Sequence, residues 1–335
     1  MVFQINLLQN TAEYDTINRM IMQKGVRWMN KLQANLCLIC VTMIWSTEVI
    51  IFACIPDSVL PFATTCITNL IGAILLFLCF FKRIISAFKK DGSRLLLRCL
   101  ILGVLSCAYN IMYIYGLNEF DVSTGAFTLS MTVVILPVIL LMRKENVDLQ
   151  TWISAGLVLT GILFALARSL FSISIPGLLL MIGGCIIRAI FIVRLNQYAR
   201  QHDPITIGFT YSMTVGIISF IIWVFFQPTT FAAMPWNKEV IASLFIYSYF
   251  IVAFAGSLNI FAQRRATPAS ATIIYSCEIV FSLTWGLLLP DSLIDPVKPN
   301  VFTFIGVAFI ILGNLAELVD FSKLKRKKEV QNEAS

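Results

Sequence analysis

Charge is what this 335-residue chain has least of: Asp, Glu, Lys and Arg make up 13% of it, and histidine occurs once, at His202. A lone histidine excludes any site built on a histidine pair, and no Asp-rich motif or nucleophile–base constellation stands in its place. A polytopic membrane enzyme acting on lipid-type substrates is therefore a poor fit. No Gly-x-x-x-x-Gly-Lys-Ser/Thr phosphate loop is present, so ATP-driven work is not expected. The first 33 residues lack the apolar core of a secretory signal. Cysteine is not scarce, at nine residues, but Cys37, Cys40, Cys54, Cys66, Cys79, Cys99, Cys107, Cys185 and Cys277 fall in or at the ends of apolar stretches and read as small hydrophobes. The Cys37-x-x-Cys40 spacing has no second pair, so no metal and no cofactor is expected.

What fills the chain is apolar. Hydrophobic residues make up 58% of it and the mean hydropathy is +0.84, more than the polar surface of a soluble domain could cover. The solvent is a bilayer. A spanning helix needs roughly 20 mostly apolar residues at about 1.5 Å rise each, and ten such stretches are read near 34–55, 61–81, 95–116, 122–142, 151–168, 173–194, 205–226, 240–259, 268–289 and 301–319.

Loops rich in Lys and Arg stay in the cytoplasm. With the N-terminus inside, the inner side collects Arg19 to Lys31, Lys82 to Arg98, Arg143 and Lys144, Arg194 and Arg200, Arg264 and Arg265, and Lys323 to Lys328. The outer side holds Arg168, Lys238 and Lys298, and Arg188 lies within a helix. Both termini are thus expected in the cytoplasm. Basic residues strung along one membrane face are not a nucleic-acid footprint, despite a net charge of +7. Residues 1–33 read as a cytoplasmic tail or an overlong start, with Met29 a sufficient beginning. Residues 320–335 read as a basic tail lying against anionic headgroups. The lack of an organelle-type targeting segment favours a multi-pass protein of a bacterial inner (cell) membrane.

The ten stretches divide into two groups of five, 34–168 and 173–319, alike at an offset of about 143 residues. Trp45 aligns with Arg188, Pro61 with Pro204, Leu136-Pro137 with Glu278-Ile279, and Gly156 with Gly306 after a longer loop. An odd number of helices per half makes the second half enter from the opposite side, giving an inverted repeat, whose usual use is alternating access. The expected fold is an all-α integral membrane protein of ten helices in a 5+5 inverted repeat.

The order of features in each half resembles the drug/metabolite transporter superfamily, in particular its ten-helix EamA-type members. The first half carries Trp45-Ser46, then Ser123-Thr124-Gly125-Ala126 leading to Pro137, then Gly156 and Gly161. The second repeats the order with Asp203-Pro204, Ala269-Ser270-Ala271 leading to Glu278-Ile279-Val280, then Gly306 and Gly313. Ile279 stands where the family pattern has proline. The acidic residues that follow the fourth and ninth helices in such proteins would be Glu145 and Asp291, with Glu145 arriving early. The resemblance implies a central cavity lined by both halves; it names no substrate.

A charge at mid-helix costs about 2.5–3.5 kcal/mol on insertion scales, which singles out Glu48, Arg188 and Glu278. From helix rise, Arg188 and Glu278 fall at matching depths and are expected to face each other, with Glu48 a separate acid nearer the outside. Pairing for structure, work on a solute or proton, and snorkelling of Arg188 to the headgroups all remain open. Tyr275, Glu278, Ser282 and Trp285 recur at helical spacing on one face; Tyr109, Asn110 and Tyr113 cluster on the third helix, and Trp45 shares a face with Glu48. Trp285 and Tyr113 read equally as cavity lining or interfacial anchors. Gly156, Gly161, Gly306 and Gly313 are expected where backbones approach closely, and Pro137 should kink its helix.

The expected function is a secondary permease moving a small organic solute, such as an amino acid or related metabolite, on a proton gradient or the solute's own. A single intramembrane arginine suits one carboxylate better than a bis-phosphate. The expected partners are the bilayer and the solute, with no nucleic acid; a monomer and a homodimer both stay open. A membrane enzyme and a non-transporting receptor or structural protein are the other classes.

Overall fold

A computed structural model describes residues 29–53, 55, 61–117, 130–166, 175–232, 234–290 and 299–319. Residues 1–28, the Ser123–Ala126 segment, Arg168, Asp291, Lys298 and the basic tail 320–335 lie outside them. Among the described residues there is no strand. The helices are α1 (Lys31–Ser46), α2 (Glu48–Ala53), α3 (Pro61–Lys90), α4 (Gly92–Gly116), α5 (Thr132–Met142), α6 (Leu149–Leu166), α7 (Ile175–Gln201), α8 (Pro204–Phe226), α9 (Thr229–Ala232), α10 (Lys238–Gln263), α11 (Pro268–Leu288) and α12 (Val301–Leu318).

Seven of these, α3, α4, α7, α8, α10, α11 and α12, are long and apolar enough to cross a membrane, while α1, α5 and α6 are shorter apolar helices. The ten equal stretches read from the sequence thus differ in kind. The first is cut at Thr47 into α1 and α2, and part of the fourth lies outside the described residues.

Helix starts are written locally. Asn30 and Gln33 form a reciprocal capping box on α1, and Asp203 and Thr267 cap α8 and α11 just ahead of Pro204 and Pro268; Pro at the first helical position gives up an N–H that has no intrahelical partner anyway. At the other end, α5 stops early. The Glu145 N–H reaches Leu140 O at 3.0 Å, the Lys144 N–H reaches Leu141 O at 2.8 Å, and Lys144 sits at φ 59°. This closing turn is usually made by glycine. It explains why Glu145 follows Pro137 so closely, and Glu145 there pairs with Arg143 at 3.1 Å.

α3 and α4 form one helical run, Pro61–Leu117. Leu70 packs on Gly216 and Gly103 on Thr214, neighbouring positions of α8; in a straight helix Leu70 and Gly103 would stand about 50 Å apart. The run must double back at Asp91-Gly92, and Arg83 and Arg98, on either side of the bend, converge on Asp203 and His202. α8 therefore lies against both arms. The other main layers set α6 on α12, α7 on the α3–α4 run and on α5, and α1 on α10 and α11.

Apolar side chains outside these contacts, such as Leu78, Met142, Phe225 and Leu288, are exposed, as lipid-facing positions are. The principal buried cluster joins the start of α1 (Ala34, Leu38), the end of α7 (Leu195, Ala199) and the α10–α11 turn (Ala262, Ala266, Ala269). It sits at the end of the bundle that carries the basic loops.

Candidate functional site

Three helices lose their regularity where they approach the same place. In α1, the Thr47 hydroxyl donates back to Ile44 O at 2.7 Å, and in α11 the Ser276 hydroxyl donates back to Ile273 O at 2.6 Å. Hydroxyl back-bonding of this kind competes with the helix ladder and bends it. Each break is followed at once by an acid: Glu48 opens α2, and Glu278 lies in the first turn of the Cys277–Leu288 half of α11. The third helix, α10, widens into a π segment over Ser248–Ala255, a local expansion often found at functional sites. Tyr247, just before it, donates its hydroxyl to Glu48 Oε1 at 2.9 Å.

Arg188 of α7 completes the set. It lies within electrostatic reach of Glu278, Glu48 and Glu278 lie within reach of each other, and the Tyr113 hydroxyl of α4 sits in the field of all three. The sequence separates Glu48 from the other two; the structure sets Glu48, at the start of α2, within electrostatic reach of Glu278 and Tyr113. Arg188 and Glu278 do not make a direct ion pair within 4.0 Å among the described residues. All three charged residues are half-buried.

The aromatic residues take different posts. Trp45 lies with its ring centroid 5.4 Å from that of Tyr275, and Tyr109 5.7 Å from Phe191. Trp285 Nε1 donates to Ser46 Oγ at 2.8 Å, tying the Cys277–Leu288 half of α11 to the last residue of α1. Tyr275 is buried, whereas Glu278, Ser282 and Trp285, which the spacing puts on the same face, are not. Tyr275 belongs to a buried network in which Gln263 Nε2 donates to its hydroxyl at 2.8 Å and that hydroxyl donates to Asn259 Oδ1. Asn110 and Ser282 are half-buried.

Burial changes sharply across the same break. Every residue from Ala269 to Tyr275 is buried, and none from Cys277 to Leu288 is. On the buried side, Asn196 Nδ2 donates to the carbonyls of Gln263 at 2.7 Å and Ala266 at 3.0 Å, so α7 is fastened to the α10–α11 turn. Among the described residues, the site is thus floored at the end with the basic loops.

Among the small residues, Gly161 and Gly306 meet where α6 crosses α12: a Cβ on either would stand 2.5 Å from the other's carbonyl oxygen. Gly313 is as tight, with Ser154 O 2.8 Å from such a Cβ. Gly156 is different. It is exposed, with nothing within 4 Å of a Cβ, so no close approach rests on it. Pro137 is buried inside α5 beside Leu136 of the core.

Sequence reasoning missed Tyr247, Asn259, Gln263 and Asn196. The polar pair Asn259 and Gln263 at helical spacing, ending an apolar stretch, is a signal that could have found the network. Nothing in composition marks a π segment, and Tyr247 had no signal of its own.

Two consecutive stretches of the chain, 32–167 and 175–316, match the model of the EamA-like transporter family. An uncharacterized transporter of Archaeoglobus fulgidus is 27% identical over 309 residues, covering 92% of this chain and 93% of that protein. A protein of known crystal structure aligns with a TM-score of 0.69 over 89% of this chain and 99% of its own, at 17% identity, a likeness of fold alone.

Proposed function

Since the chain belongs to the EamA-like transporter family of the drug/metabolite transporter superfamily, multi-pass membrane transporters, we propose that it is a secondary permease for a small zwitterionic solute, an amino acid or close relative. The observation that carries this reading is the constellation of Glu48, Glu278 and Arg188 around Tyr113, two acids just past helix breaks and one base within the continuous α7. Arg188 takes the carboxylate of the solute as a charge-assisted pair. Glu48 and Glu278 take its ammonium group, and the surplus acid is available for a proton. Tyr113 and Trp285 flank the body of the solute.

Alternating access on a 5+5 inverted repeat is supported by the way helix contacts exchange between halves. α1 lies on α10 and α11 as α7 lies on the α3–α4 run and α5, while α6 and α12, and α5 and α11, meet their own counterparts. With the basic loops in the cytoplasm, the buried half of α11 faces inward and its Cys277–Leu288 half outward. Helix termini and breaks beside a charged solute are a recurring feature of such carriers.

The test is uptake and exchange of a labelled amino-acid and metabolite panel in proteoliposomes, with and without an imposed pH gradient. Glu48→Gln, Arg188→Gln and Glu278→Gln are compared with wild type. The reading requires a solute that moves, loss of its binding in Arg188→Gln, and altered affinity or proton dependence in at least one acid variant. A folded protein that moves no member of the panel sinks the substrate assignment, and equal transport by all variants returns the charges to structure.

A further inference from the structure

Away from the central charges, α12 carries a carboxylate that solute binding does not use. Glu317 is 2% exposed. Its Oε1 accepts the Ser270 hydroxyl of α11 and lies 3.9 Å from Lys31 Nζ of α1, a side chain that is 52% exposed. Its Oε2 is buried with no hydrogen-bond partner. Of the other buried side-chain oxygens in that condition, two lie on the same helix or on its neighbour α6: Asn314 Oδ1, about one turn earlier on the same face of α12, and Ser154 Oγ on α6.

These atoms belong to one junction. Gln150, one turn before Ser154, donates to Ala316 O at 2.7 Å and Val319 O at 2.5 Å, and the Ser154 carbonyl stands 2.8 Å from where a Cβ on Gly313 would be. The face of α6 bearing Gln150 and Ser154 is therefore laid along the end of α12 bearing Gly313, Asn314 and Glu317. Turning over the Asn314 amide would not supply the missing donor, because its Nδ2 is already committed to Ser276 Oγ at 3.0 Å and Ile310 O at 2.9 Å.

Buried lone pairs with no donor are a standing desolvation cost. A hard cation relieves it by taking oxygen ligands. One carboxylate among neutral oxygens balances a single positive charge, and oxygen ligands suit a hard cation better than the softer metals. We propose that Glu317 Oε2, Asn314 Oδ1 and Ser154 Oγ, with Ser270 Oγ at the edge, form a sodium-ion site at the α6–α11–α12 junction. Lys31 stands on the far oxygen of Glu317 and weakens ion binding by repulsion. The Asn314–Ser276 bond links the site to the α11 break that positions Glu278, which gives the ion a route to the solute site. The ion site itself rests on the junction alone and not on the solute assignment.

Two measurements on the purified full-length protein in detergent test it without any solute. One is direct binding of radioactive sodium by scintillation proximity; the other is thermal unfolding titrated with NaCl against KCl and choline chloride at constant ionic strength. Wild type should bind sodium saturably, and its melting temperature should rise with Na+ and not with K+ or choline. Glu317→Gln should lose about tenfold or more in sodium affinity, since it removes the charged ligand. Ser154→Ala should lose less, and Lys31→Gln should bind more tightly. Wild type that binds no sodium overturns the proposal whatever the variants do. So does a melting response equal in Na+, K+ and choline, or an unchanged sodium affinity in a folded Glu317→Gln.

Discussion

Replacing Gly306 by alanine should cost stability, and replacing Gly156 by alanine should not. At Gly306 the added Cβ would meet Gly161 O at 2.5 Å, Ala165 N at 3.1 Å and Ala165 Cβ at 3.2 Å. The closest of these is a backbone oxygen, which cannot swing aside. Restoring an ordinary contact near 3.4 Å means parting α6 and α12 by about 0.9 Å at the crossing, with loss of dispersion contact along both helices. Overpacking of this kind typically costs about 1–3 kcal/mol.

Alanine is also the better helix former, by about 1 kcal/mol over glycine. Gly156 and Gly306 both lie within helices, so they share that gain, and the difference between the two variants isolates the clash: about 1–3 kcal/mol against Gly306→Ala. Without hydrophobic exclusion from water to drive helices together in lipid, close backbone contact carries much of the association, so little else can make up the loss. The assay is thermal unfolding of both purified variants beside wild type under one detergent and salt condition. Gly156→Ala should melt at or above the wild-type temperature and Gly306→Ala below it. If the two shift alike, or Gly156→Ala falls further, the crossing is not at Gly161 and Gly306 and the reasoning fails.

Two more outcomes follow from single contacts. Trp285→Phe and Ser46→Ala each remove the 2.8 Å bond between α11 and α1; each should cost about 0.5–1.5 kcal/mol, and the double variant, read by the same melting assay, should cost little more than the worse single one. Asn196→Ala removes both of its bonds to the α10–α11 turn and should cost about 1–3 kcal/mol, since Gln263 O loses its side-chain donor while Ala266 O keeps Arg200 at 3.3 Å. Cysteine accessibility to a cytoplasmic thiol reagent should then rise at buried Cys99 or Cys185; unchanged labelling would mean that Asn196 does not hold the floor closed.

The sequence by itself determined that the chain lives in a bilayer, that its polar side is asymmetric, and which three ionisable residues sit inside. Those follow from composition and from the high cost of mid-membrane charge, which makes Glu48, Arg188 and Glu278 conspicuous in any apolar stretch. The caps at Asn30, Asp203 and Thr267 are local chemistry and could also be read there. Only the tertiary structure decided how these pieces meet. Residue counting at a constant rise sets Glu48 apart from Glu278, yet in the fold the two acids, each just past a hydroxyl back-bond at Thr47 or Ser276, lie within reach of each other. The same spacing rule put Tyr275 beside Glu278, while in the fold its hydroxyl belongs to the buried network with Gln263 and Asn259. Glycine positions were visible as letters, but whether a helix lies against them depends on a partner far along the chain: Gly161 and Gly306 touch, and Gly156 faces open space. Periodicity reports what one helix would do alone. Breaks, crossings and buried networks are set by the neighbours it acquires on folding.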